Sequence, residues 1–198
     1  MGEPREHQRI LRDALESEGA AYRRLLDGEA AEAREALGEV ARIYRSSWEK
    51  APPRSFGRLA GYLKASILAG RAEEAAAFVR SEIGAAGDSP VSWYVLGLAA
   101  LLEGDREAAL RAAEGIREGL DGLRDPRSFR LAADAIVALA TCNESAFRGL
   151  IAAMVADVES RSAHLTGVAI ADTALVFEQI AARQGIGSGI VSDVLPSI

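Results

Sequence analysis

The chain has 198 residues, 49% hydrophobic and 26% charged, with a net charge of −6. That composition fits one globular domain with a sizeable core and excludes a disordered chain. No apolar run reaches the ~20 residues of a membrane span, and an acidic balance without a basic cluster argues against a nucleic-acid partner.

Alanine, leucine, arginine and glutamate dominate, whereas the β-branched and aromatic runs of a sheet are missing, so the fold class read here is all-α. Lys50 and Lys64 are the only lysines among 23 basic residues. The arginines interleave with glutamates, as in Arg5-Glu6, Arg34-Glu35 and Arg106-Glu107, a pattern of solvated helix faces with local ion pairs. Cys142 is the only cysteine, which rules out an intrachain disulfide and suits a reducing compartment. The start of the chain is polar, with no apolar secretion segment, so the expected location is cytoplasmic.

In chain order, Pro4 reads as a first-turn residue, and Ile10, Leu11, Ala14, Leu15, Ala21, Tyr22, Leu25 and Leu26 follow helical spacing. One long helix should end near Asp27-Gly28, with Gly19 a weak point. A second carries Ala33, Leu37, Val40, Ala41, Tyr44 and Trp48, and Ala51-Pro52-Pro53 stops it. Ser55 should cap the third, with Leu59, Tyr62, Leu63, Ile67 and Leu68. Gly70 breaks that helix, and a fourth runs through Ala75, Phe78 and Val79 to about Ile83.

Ser89-Pro90 is a cap followed by a first-turn proline, opening a helix that begins Trp93-Tyr94. Glu103-Gly104-Asp105 is a turn so short that the next helix, to about Leu120, must return antiparallel. Asp125-Pro126 repeats the cap-then-proline signal before a seventh helix with Phe129, Ala132, Ile136 and Leu139. Asn143 caps an eighth, whose stripe is Phe147, Leu150, Ile151, Met154, Val155 and Val158. A loop with His164 and Gly167 leads to a last apolar helix ending near Arg183, and residues 185–198 form a non-helical tail. Ile190, Val191, Val194 and Leu195 should hold that tail against the last helix pair.

Trp93, Leu96-Gly97, Gly104 and Ala109 resemble the tetratricopeptide (TPR) repeat, whose pattern opens W-x₂-L-G. Gly70 and Gly104 stand one ~34-residue TPR period apart. Arg71-Ala72-Glu73-Glu74-Ala75 after the first matches Asp105-Arg106-Glu107-Ala108-Ala109 after the second. The resemblance implies antiparallel helix pairs stacked in a TPR-like right-handed array of about nine helices, a single domain over 1–198 with the array in 1–184. It also implies that Trp93 packs inside while the next residue faces a concave groove. Carried over, the groove positions are Val91, Tyr94, Leu98, Leu101 and Leu102, then Phe129, Ala132, Ile136, Leu139 and Ala140. Nearly all are apolar, so the groove should be covered by closure of the helices, by the tail or by a partner.

No constellation for chemistry stands out. His7 and His164 are isolated, and no cluster has the spacing of a zinc site, so neither metal nor cofactor is expected. Cys142 reads as an inert, partly buried thiol, and Gly185-Ile186-Gly187-Ser188-Gly189 follows a helix where a phosphate loop needs a strand. Asp172 lies in the apolar run Val168–Phe177 and should cap a helix, contact an arginine or face solvent. These readings give a protein that is not an enzyme.

Asn143-Glu144-Ser145-Ala146-Phe147, the later Ala-Ala-Arg-Gln-Gly-Ile and the close Val191-Ser192-Asp193-Val194-Leu195-Pro196 are similar to the C-terminal end of the immunity protein 49 family of bacterial polymorphic toxin systems. That resemblance implies an inhibitor that binds a cognate toxin. An acidic inhibitor would suit a basic toxin. The alternative is a TPR-like adaptor that takes a peptide or helix of another protein in its apolar groove. Both readings make the partner a protein and leave a homodimer open.

Overall fold

The structure, a computed structural model, describes residues 5–123 and 125–197. Pro4 lies outside the described residues. Within them the chain forms nine α-helices, and the all-α class holds. They are α1 Glu6–Leu26, α2 Ala30–Glu49, α3 Gly57–Leu68, α4 Ala72–Ile83, α5 Pro90–Glu103, α6 Arg106–Glu118, α7 Arg127–Ala140, α8 Glu144–Glu159 and α9 Asp172–Ala182.

Local signals set most of these boundaries. Ser89 opens α5, its hydroxyl accepting the Ser92 N–H at 3.3 Å, with Pro90 in the first turn. Gly104 closes α5 in the left-handed conformation at φ 73°, which a residue without Cβ adopts freely, and Asp105 then caps α6 by accepting the Ala108 N–H at 2.9 Å. Asn143 caps α8 through the Ala146 N–H at 3.0 Å.

Two starts differ from expectation. Ser55 does not cap α3. Its hydroxyl donates to the Pro52 carbonyl at 2.7 Å, fixing the turn after the two prolines, and Phe56 takes the cap position. At α7 the register moves by one, so that Pro126 is the cap residue and Asp125 accepts the Arg127 N–H at 3.1 Å. Gly19 does not weaken α1, which runs through it. A Cβ there would lie 2.6 Å from the Thr166 carbonyl oxygen, so the glycine admits the loop that follows α8.

Each helix packs on the next, and a second set of contacts joins alternate ones: α3 to α5, α5 to α7, α7 to α9. The α9 helix also packs on α3, so α3, α5, α7 and α9 complete a ring. Gly97 contributes to it by admitting Ile136 of α7, which approaches more closely than Ala112 of α6. Trp93 is only partly buried. Its ring lies against Gly115 of α6 and Gly87, on the outer side of α5, while Tyr94 points inward.

The tail packs down along α8 and α9. The Ala171 N–H donates to the Val194 carbonyl at 2.7 Å, the Ser192 hydroxyl to Glu159 at 2.8 Å, and Ile186 and Leu195 are buried. Val191 does not help, being 97% exposed.

Candidate functional site

Inside the ring lies a cavity of about 490 Å³, walled by α1, α2, α3, α5, α7, α8, α9 and the loop before α9. Phe129, Leu131, Met154, Val158, Val168 and Ile170 make one side of it apolar. Exposed Gly57, Ser128, Arg161 and Leu165 mark its mouth. There Arg161 ties the loop to α7 and α8 by reaching the Ser128 hydroxyl at 2.9 Å and the Asp157 carboxylate, which Arg127 also contacts at 3.3 Å.

The floor is polar. Glu18 and Tyr22 stand one helical turn apart on the buried face of α1, the spacing at which side chains meet. The Tyr22 hydroxyl donates to one Glu18 oxygen at 2.9 Å, and the Tyr44 hydroxyl of α2 donates to the other at 2.8 Å. Gly61 of α3 makes room for the Tyr44 ring, since a Cβ would sit 2.6 Å from it. Lys64, one turn further along α3, forms an ion pair with Asp172 and lies 3.3 Å from the Thr173 hydroxyl. Asp172 is the first residue of α9, where the helix dipole favours a negative charge. The Asp172 expectation is met in kind but with a different cation, a lysine in place of an arginine.

Burial pushes the Glu18 carboxyl above its ordinary value, with Asp172 adding to the effect while Lys64 and the two tyrosine hydroxyls oppose it. Burial likewise raises Tyr22 and Tyr44, and it pushes Tyr94 up to about 12 against the pull of Lys64. All three phenols are therefore neutral near pH 7. For Lys64, burial works to lower the ammonium, but Asp172, Tyr94 and Glu18 outweigh it and hold the group above its ordinary value.

The positions carried over from the TPR pattern divide into two sets, apart from Leu102, which is partly buried against the core. Val91, Tyr94, Phe129 and Ala132 line the cavity. Leu98, Leu101, Ile136, Leu139 and Ala140 are core, and Leu98 and Ile136 are fully buried. The groove is thus closed along most of its length, because α9 folds back on α3 and the helices fill it with one another's side chains. Cys142 is exposed, contrary to the partly buried thiol expected, with an Arg106 nitrogen 3.3 Å from its sulfur. The polar floor around Glu18, Tyr22, Tyr44 and Lys64 escaped the sequence reading. A signal was present: Glu18 falls inside the apolar stripe Ala14, Ala21, Leu25, and Lys64 stands between Tyr62-Leu63 and Ile67-Leu68.

Among the described residues no group of three His, Cys, Asp or Glu side chains could hold a metal ion, and no helix is long and apolar enough to cross a membrane. Compared with known protein families, curated proteins and solved structures, the chain matches none.

Proposed function

We propose that this chain is a non-catalytic binding protein whose cavity encloses a small amphipathic molecule. The observation that carries the proposal is a space of about 490 Å³ with one apolar side and a floor of paired polar groups. Ligand pockets typically measure about 300–1,000 Å³ and combine apolar walls with a few placed polar groups. A space of this volume suits a small molecule better than a helix of a partner protein, which is about 10 Å across with its side chains. A buried carboxyl with a raised pKa is also what a general acid requires. Here, however, both Glu18 oxygens are held by tyrosines, which favours binding over chemistry. A TPR-like origin is supported by the alternation in which α3, α5, α7 and α9 touch one another while α4, α6 and α8 make no comparable contact. A cytoplasmic setting goes with the single cysteine.

Thermal melting of the protein with an excess of eight-carbon amphiphiles tests the proposal, because a ligand that binds only the folded state raises the midpoint. At least one probe should stabilise the parent. Filling the space by Ala132→Phe, or independently by Ala60→Phe, should abolish that response. No stabilisation of the parent by any probe would overturn the reading.

A protein partner, as an immunity-type inhibitor or an adaptor, is the second reading. Leu165 and Val191 favour it, lying 83% and 97% exposed in the stretch that carries the immunity-protein resemblance. Co-purification of a basic protein from native extract would support this reading if it survives cavity filling and is lost with Leu165→Asp and Val191→Asp.

A further inference from the structure

Most polar atoms on the cavity floor already have partners. The Glu18 oxygens take Tyr22 and Tyr44, one Asp172 oxygen takes Lys64, and the other takes the Thr173 N–H at 2.8 Å. Tyr94 is different. It is 6% exposed and lines the cavity, and its hydroxyl makes no hydrogen bond of normal geometry, although the Thr173 side chain lies near enough to affect its ionisation. Lys64, close enough to Tyr94 to influence its ionisation, directs N–H groups to Asp172 and Thr173 and retains one more. A hydroxyl and an ammonium N–H therefore remain for an acceptor.

Charge decides which acceptor. The Lys64 ammonium is already matched by Asp172, and burial drives Glu18 towards its neutral form. An incoming carboxylate would join two carboxyl groups that share a single ammonium. An incoming ammonium would lie beside the Lys64 ammonium, with each Asp172 and Glu18 oxygen already accepting a hydrogen bond. Either would bring a second like charge next to one already out of water, whereas a neutral oxygen brings none.

Resting on the small-ligand reading above, we infer that the cavity takes a neutral amphipathic molecule. Its hydroxyl or carbonyl oxygen accepts from Tyr94 Oη and Lys64 Nζ, and its apolar body lies against Phe129, Met154, Val168 and Ile170.

Calorimetric titration of the full chain at neutral pH with 1-octanol, 2-octanone, octanoate and n-octylammonium tests this. The neutral heads should bind with 1:1 stoichiometry, roughly tenfold or more tighter than either ion. Tyr94→Phe removes only the oxygen and should weaken the neutral heads by about 3- to 10-fold. A red shift of tyrosine absorption on adding octanol gives a readout in the parent that needs no variant. Equal or tighter binding of an ion, or a Tyr94→Phe affinity equal to the parent's, would overturn the inference and leave the small-ligand reading standing. If none of the four binds, the small-ligand reading fails first and the inference with it.

Discussion

Lys64 and Asp172, 108 residues apart in the chain, form the ion pair that joins α9 to α3 and closes the ring of helices. Their side chains are 15% and 30% exposed, so the pair is largely out of water. Removing one partner leaves the other charge uncompensated. Asp172→Asn and Lys64→Met should each cost about 3 kcal/mol, the low end for a buried pair because Asp172 keeps some solvent. The double variant Lys64→Met/Asp172→Leu should be clearly more stable than the sum of the single losses implies. Urea unfolding of the four proteins measures this, and strictly additive losses would show that the two side chains act independently.

Glu18 should give stability a pH dependence opposite in sign to that of an ordinary paired carboxylate. Its folded-state pKa is raised above the usual 4.5, so the folded protein binds that proton more tightly than the unfolded chain. The corresponding stabilisation is complete below about pH 4.5 and is lost as pH rises through the raised value. Glu18→Gln keeps the shape and removes the titration. The variant should therefore gain on the parent between pH 5 and pH 7.5 when unfolding free energies are compared at the two values. Taking the difference cancels the other titrating groups, and a flat difference would mean that Glu18 is not protonated more readily in the fold.

Two glycines should respond to alanine in opposite directions. At Gly61 a Cβ would lie 2.6 Å from the Tyr44 ring, so the ring must move and its hydroxyl leaves Glu18. Gly61→Ala should cost about 1–3 kcal/mol, as overpacked cores do. Gly149 lies on the exposed face of α8, with nothing within 4 Å of its Cβ position. There the helix preference for alanine should stabilise by up to about 1 kcal/mol. Paired denaturation curves decide it, and stabilisation at both sites would contradict the packing described around Tyr44.

The tail should contribute to stability. Deleting residues 186–198 removes buried Ile186 and Leu195, worth about 1.5–3 kcal/mol each when fully buried. It also strips the Ala171 N–H of its Val194 acceptor. A lower melting midpoint and a rise in light scattering are expected. A truncated chain as stable and soluble as the parent would contradict the docking.

Helix ends were legible in the sequence because their causes are local. Ser89-Pro90 and Asn143 each place a side-chain acceptor where the first free N–H groups need one. The closure of the ring was not legible. It depends on α9 meeting α3, and the sequence around Asp172 gives no hint of Lys64. The TPR register put Tyr94 on the inner face and read Leu98 and Ile136 as groove, because helical spacing shows which side a residue faces and not how far the opposite helix stands. Glu18 was hidden for a simpler reason. In a chain whose charged residues mostly lie on solvated faces, one buried glutamate differs from the rest only by the apolar residues around it.

The chain has two methionines, and Met154 lines the cavity while being itself only 5% exposed. Its methyl group is therefore a direct probe of what enters. In protein labelled with ¹³C-methyl methionine, with the signal assigned by Met154→Leu, titration with 1-octanol should shift the Met154 resonance saturably at 1:1 stoichiometry and give intermolecular Overhauser effects to the alkyl chain. A Met154 resonance that stays unmoved and shows no such effects at millimolar octanol would contradict the claim that this cavity is a ligand site.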